Sequence, residues 1–171
     1  MNAQKFTQKS LEAIQDANAL YNEYGNAEMG QEHLLLALLH QDGGLIAQLI
    51  TKMGIDPNNL ETQTRQAVEK LPRVSGGRDA SRMYVTSDLQ KTLNEAEHTA
   101  EQMKDDFVSV EHLFLALIDT ATGSVRDLFR TFGIQKNNFL QALSSVRGNQ
   151  RVTTDSPEDT YDALKKYGTD L

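Results

Sequence analysis

"QEHLLLALL", residues 31–39, returns as "VEHLFLALI", residues 110–118, and the fold follows from that recurrence. His33 maps onto His112, a shift of 79 residues. The same shift carries Phe6-Thr7 onto Val85-Thr86, Ala17 onto Ala96, Gly44 onto Gly123 and Leu49 onto Leu128. It also carries Gly54-Ile55 onto Gly133-Ile134 and Asn58-Asn59-Leu60 onto Asn137-Asn138-Phe139, with no gap. One unit is therefore written twice, over about residues 6–70 and 85–147, and self-similarity at a fixed offset predicts a pseudo-twofold tandem repeat.

Each unit reads as four helices. In the first, Phe6, Ser10, Ala13, Ile14, Ala17, Leu20, Tyr21 and Tyr24 recur at steps of three and four, which puts them on one helical face. Val85, Leu89, Leu93, Ala96, Ala100 and Met103 repeat the pattern. The run Leu34–Leu39 is apolar all round, so its helix is expected at the centre of the unit, buried on every side. A third helix begins near Gly44 and stops at Gly54, where glycine reaches the left-handed conformation without strain. The fourth opens at Asp56-Pro57, a side-chain cap followed by a residue with no N–H to satisfy. Gly123, Gly133 and Lys136 mark the same points in the second copy. The predicted class is all-α, eight helices in two four-helix units.

Between the copies, "LPRVSGGRDASRM", residues 71–83, has proline, paired glycines and no apolar period, and reads as a connector ending near residue 84. After residue 147 comes a polar stretch, then "SPEDTYDALKKYG", residues 156–168, which has a serine cap, proline at the first helical position and a glycine stop. A helix of roughly ten residues does not hold itself together in water. Residues 148–171 are therefore expected to be a linker and the start of a following domain.

Composition narrows the function. The longest apolar run is far short of the ~20 residues that cross a bilayer, and the polar start "MNAQKFTQKS" lacks the apolar core of a secretion signal. A cytoplasmic protein without a membrane partner is expected. The absence of cysteine excludes a disulfide framework, a thiolate zinc site and a cysteine nucleophile. A net charge of −7, with no basic stripe interleaved with aromatics, argues against nucleic acid.

His33 and His40 lie two helical turns apart with Glu32 adjacent, so a zinc site has to be weighed. The zincin pattern needs histidines four apart, however, and position 37 is Ala, while Asp119 replaces His40 in the second copy. Catalysis has no better footing, because neither copy sets a nucleophile beside its histidine. The expected role is structural, with each ring bonding a backbone group near its helix start, and no catalytic or metal residue is assigned. Glu111, in the first turn after the cap Ser109, is favoured there by the helix dipole by a few tenths to ~1 kcal/mol and is expected as a surface anion. It either stays solvated or meets a cationic group or backbone N–H of a bound polypeptide.

The doubled unit with "EHLLLALL" and "EHLFLALI", the "LPRVSG" connector and the tail "RGNQRVTTDSPEDTYDALKKYGTDL" resemble the Clp N-domain family, over the whole chain. The connector and tail favour its ATP-driven protein disaggregases, in which such a tail leads into an AAA+ ATPase domain. No G-x-x-x-x-G-K-[ST] loop is present, so the chain itself is not expected to be an enzyme or to hold a cofactor. ATP and Mg would belong to the full-length protein. The resemblance implies a module that binds exposed apolar stretches of unfolded or aggregated polypeptides in a shallow groove and passes them to the ring. It further implies a homohexamer cooperating with an Hsp70-type chaperone.

Groove positions carried over by the resemblance are Thr7, Asp105 and Glu111. For Thr7 the competing reading is a helix cap ahead of Leu11, and for Asp105 a solvated loop carboxylate. Tyr84 and Val85 are candidates for apolar lining, Val85 also as the start of the core face. In some members of the family the glutamates of the two EH motifs face phosphoarginine, and Glu32 and Glu111 match those positions. Adaptor docking and phosphoarginine recognition are thus the alternatives to polypeptide binding.

Overall fold

The computed structural model describes residues 3–74 and 83–148, together with 152 and 157. Connector residues 75–82 and, apart from Pro157, the helix expected from Ser156 lie outside the described residues. Among these residues eight α-helices form two sets of four: α1 (Gln8–Glu23), α2 (Gln31–His40), α3 (Leu45–Lys52), α4 (Pro57–Glu69), then α5 (Ser87–Gln102), α6 (Val110–Thr120), α7 (Gly123–Phe132) and α8 (Lys136–Arg147). A single 3-10 turn, Ala3–Lys5, precedes α1. The starts of α1 and α5, α2 and α6, and α4 and α8 keep the 79-residue offset seen in the sequence.

The cap at Asp56 and the stop at Gly133 are those the sequence announces, Thr7 and Thr86 cap as well, and Ser109 turns its hydroxyl to Glu111. Thr7 Oγ1 accepts the Ser10 N–H at 3.2 Å and Thr86 Oγ1 the Leu89 N–H at 3.0 Å. Asp56 Oδ1 accepts the Asn58 N–H at 3.0 Å ahead of Pro57. Gly133 ends α7 in the left-handed region at φ 70°. Each cap is worth about 1 kcal/mol, enough to fix where a short helix begins.

Helix α2 runs through the middle of the molecule. Leu34, Leu35, Leu36, Ala37, Leu38 and Leu39 are all buried, as are Leu113–Leu117 of α6. Full burial of one such leucine is worth ~1.5–3 kcal/mol, so these two helices carry a large share of the driving force. The contacts across the molecule come in pseudo-symmetric pairs: α3 on α8 and α7 on α4, α3 on α6 and α7 on α2, α1 on α6 and α5 on α2. Phe6, Leu35, Ile46, Leu60, Phe114 and Phe139 all belong to one continuous apolar cluster. The units are therefore two halves of a single core.

Two reciprocal backbone bridges lock the halves together. Thr7 N–H donates to Val108 O at 2.9 Å and Val108 N–H to Lys5 O at 2.7 Å. At the equivalent place Thr86 N–H donates to Met29 O at 3.0 Å and Met29 N–H to Tyr84 O at 2.7 Å. The segment entering the first helix of each unit is thus paired with the turn of the other unit. A buried polar tie adds to this, in which Gln31 donates to Thr92 Oγ1 at 3.1 Å and Thr120 O at 2.9 Å and accepts the Thr122 N–H at 3.1 Å. No single helix among the described residues is long and apolar enough to cross a membrane.

Candidate functional site

Each α1–α2 type turn is organised by the histidine of its EH motif. Gly30 N–H donates to His33 Nδ1 at 2.9 Å, so Nδ1 carries no proton and Nε2–H donates to Asn26 Oδ1 at 2.8 Å. His112 repeats this, with Nδ1 accepting the Ser109 N–H at 2.9 Å and Nε2 set 2.7 Å from Asp105 Oδ2. Both rings are fully buried. They work as the third residue of a capping box, returning a bond to the N-cap N–H where Glu or Gln usually does so. Burial lowers the His33 pKa to about 4, which keeps the ring neutral. His40 stands apart, largely exposed and 3.2 Å from Glu61 Oε2. No group of three or more His, Cys, Asp or Glu among the described residues is arranged to hold a metal ion.

The two turns differ in charge. In the second unit Asp105 replaces Asn26, and the guanidinium of Arg147, at the end of α8, reaches both Asp105 Oδ1 and Glu111 Oε2, the latter at 3.4 Å. Ser109 Oγ bonds Glu111 Oε1, and the Val152 N–H donates to Asp105 Oδ1 at 2.9 Å. Burial pushes the Asp105 pKa up. The hydrogen bonds from His112, from the Val152 N–H and from Arg147 outweigh it and hold the carboxyl below the usual aspartate range.

Thr7, Asp105 and Glu111 come together at one junction. The Thr7 N–H and the Ser10 hydroxyl, at 2.9 Å, both bond Val108 O, three residues from Asp105 and three from Glu111. Glu32 and Tyr84 lie at the pseudo-equivalent junction, where Tyr84 O accepts from Met29 and Glu32 Oε2 accepts the Ser124 hydroxyl at 2.7 Å.

Two expectations change here. Glu111 is not a surface anion: it has 0% exposure, because α8 folds Arg147 over it and supplies the countercharge that burial demands. Nor is Asp105 a solvated loop carboxylate, at 8% exposure with both oxygens bonded. Thr7 is a cap and is itself buried, at 0% exposure. The groove at these positions is closed, and its accessible rim includes half-buried Phe107 beside exposed Asp106 at one junction, and half-buried Tyr84 and Val85 beside exposed Met83 at the other.

Arg147 escapes a reading of the sequence because it looks like an ordinary basic residue in a last helical turn. The signal lies in the offset: Asn26 becomes Asp105 and Val68 becomes Arg147, so opposite charges appear together in the second copy alone.

A family model described as the Clp repeat (R) N-terminal domain matches residues 5–132. The chain is similar to the chaperone protein ClpB of Bacillus cereus, 42% identical over 172 residues, covering 100% of this chain and 20% of that protein. It is also similar to that of Gloeobacter violaceus, 35% identical over 171 residues, covering 99% and 19%. It thus spans about a fifth of the length of these curated relatives. Among solved structures, the Hsp104 N-terminal domain from Candida albicans superimposes with a TM-score of 0.80 at 21% identity, covering 90% of this chain and 99% of that one. The ClpV N-domain in its complex with a VipB peptide gives a TM-score of 0.65 at 20% identity, covering 82% and 86%. At these identities the structural likeness is one of fold.

Proposed function

Given that the chain belongs to the Clp repeat N-terminal domain family, we propose that it binds exposed apolar segments of unfolded or aggregated polypeptides for an ATP-driven disaggregase. Delivery to an AAA+ ring, with ATP and Mg held there, a homohexamer, and cooperation with an Hsp70-type chaperone belong to the same proposal, as does a cytoplasmic location. The observation that carries it is the junction itself. Residues as distant in sequence as Thr7, Asp105 and Glu111 meet where the two units are stitched by Phe6 and Val108. Half-buried Phe107 sits beside them, and half-buried Tyr84 and Val85 beside Glu32 at the twin junction.

Such a surface suits weak, sequence-tolerant binding. Small aromatic rims over a rigid polar base offer apolar contact without a deep anchor, so many clients are accepted and released. Thr7, Asp105 and Glu111 act from below, fixing the backbone that presents the rim, while Glu32 is open to direct contact. Phosphoarginine recognition is the weaker reading, because Arg147 already occupies the Glu111 carboxylate. The peptide in the ClpV complex is a property of that protein, and it encourages the reading without locating a site here.

The test is an amide NMR titration of this chain with a polypeptide kept unfolded. Saturable shifts are expected at Thr7, Tyr84, Asp105, Phe107 and Glu111. Shifts confined to the grooves between α4 and α7 (Gln63, Leu71, Leu128) or α3 and α8 (Met53, Ala142) would contradict the site.

A further inference from the structure

In both units the residue that receives the histidine also grips the chain leaving the last helix of its own unit. Asn26 Nδ2 donates to Pro72 O at 3.1 Å and the Val74 N–H donates to Gly25 O at 2.7 Å, just after α4. After α8, Asp105 Oδ1 accepts the Val152 N–H at 2.9 Å, and the Asp106 N–H donates to Val152 O at 2.7 Å. Val152 is fully buried, five residues beyond the end of α8. The grip in the first unit is neutral. In the second it is ionic, because the same Asp105 oxygen that takes Val152 also takes the Arg147 guanidinium, and Arg147 is shared with Glu111.

We propose that Asp105 is a latch fastening the segment that leaves α8, and that a polypeptide bound at the second-unit junction loosens it. The loosening rests on the function proposed above; the latch does not. The physical route is short. Phe107 and Asp106 lie on the turn whose backbone holds Val152, so a ligand that moves this turn alters the Asp105 and Asp106 bonds to Val152 directly. Asp105 Oδ1 serves the Arg147 guanidinium and the Val152 N–H together while Oδ2 faces the His112 ring, so a shift of Arg147 or of the turn disturbs the Val152 contact directly. Binding at the rim is thereby converted into release of Val152 from Asp105 and Asp106.

The test is amide hydrogen exchange at Val152 and Asp106, with α6 amides as the measure of folding. Asp105→Ala should speed Val152 exchange by about ten- to a hundredfold, the range of a lost bond to a charged acceptor, while Asn26→Ala leaves it unchanged. Unchanged Val152 exchange in a folded Asp105→Ala protein overturns the latch. Should Asp105→Ala unfold α6 as well, Val152→Pro removes the N–H donor, along with the buried valine side chain, leaves Asp105 intact and should speed Asp106 exchange about tenfold or more; wild-type protection there also overturns it. With an unfolded polypeptide at saturation, Val152 exchange should rise. Binding seen at the junction with no change at Val152 overturns the coupling alone. No binding at all overturns the client reading and the coupling with it, and leaves the Asp105→Ala result to decide the latch.

Discussion

Asn26 and Asp105 stand at the same place in the two units, each facing the Nε2 of the histidine seven residues on, at 2.8 Å and 2.7 Å. One is a neutral amide and the other a carboxylate, and the difference is matched by Val68 and Arg147 at the ends of α4 and α8. Exchanging them should therefore not be neutral. Asp105→Asn leaves Arg147 with Glu111 alone and should cost on the order of 3 kcal/mol, as for a broken buried pair. Asn26→Asp buries a carboxylate where the amide had donated to Pro72 O, with Val68 at the position that Arg147 holds in the second unit, and should cost a similar amount near neutral pH. Urea unfolding at pH 7 reads both, and losses below about 1 kcal/mol would mean that the charge match is unimportant.

Acid should destabilise the protein through His33 before it reaches the carboxylates. The folded-state pKa of about 4 lies below the unfolded value near 6.5, so between these pH values the unfolded chain binds the extra proton. Unfolding free energy then falls as pH falls, by up to ~1.4 kcal/mol per pH unit and ~3 kcal/mol in all. Asp105, whose pKa is lowered on folding, adds its loss only further down, below the unfolded aspartate value near 4. A His33→Gln variant should flatten the slope between pH 6.5 and 4. An NMR titration of the His33 ring with a midpoint near 6.5 would refute the assignment.

The turn before Asp105 carries backbone strain that its twin avoids. Lys104, at φ 60°, is the one non-glycine residue with positive φ among the described residues, and Gly25 holds the equivalent position at φ 66°. No atom lies within 4 Å of a Cβ built on Gly25, so the cost of a side chain there is conformational alone. Gly25→Ala should lose about 1 kcal/mol. Lys104→Gly should range from neutral to about 1 kcal/mol stabilising, relief of strain being offset by the entropy of glycine. Thermal unfolding of the two variants should move in opposite directions or, at the least, differ by several degrees.

In the second half of the core Phe114 stacks on Phe139 at 4.7 Å and meets Phe129 at 5.5 Å, where the first half has Leu35, Leu60 and Ile50. Phe114→Ala should cost about 3–5 kcal/mol. Phe114→Leu, the residue its twin uses, should cost less than about 1.5 kcal/mol if the aromatic neighbours close on it. Equal losses would indicate that this cluster cannot repack.

Much of this was legible before any coordinates. The recurrence of "EHLLLALL" as "EHLFLALI" contains the twofold, and Asp56-Pro57 and Gly133 contain their helix boundaries, because caps and left-handed stops are local chemistry. Structural roles for His33 and His112 are legible in the absence of a second ligand at the zincin spacing, but the sequence does not announce that Ser109 Oγ lies 3.1 Å from His112 Nδ1, its hydroxyl bonded to Glu111. What else stayed hidden was long-range. Glu111 looks like a surface carboxylate in its own helix, and only the return of α8, 36 residues later, covers it with Arg147. Thr92 and Thr99 look like polar interruptions of the α5 face, yet both are buried, Thr92 because Gln31 and Thr120 from other helices bond it. The reciprocal pairing of Phe6 with Val108 and Val85 with Met29 is invisible to periodicity, since each contributes a single bridge rather than a strand.

The most direct measurement is fluorescence anisotropy of one labelled polypeptide, titrated with this chain while held unfolded and again while folded. Saturable binding of the unfolded form alone is predicted, weakened several-fold by Tyr84→Ser combined with Phe107→Ser, in a variant whose circular dichroism is unchanged. Equal binding of the folded form, or binding indifferent to loss of both aromatics, would contradict a client-binding rim at the two junctions.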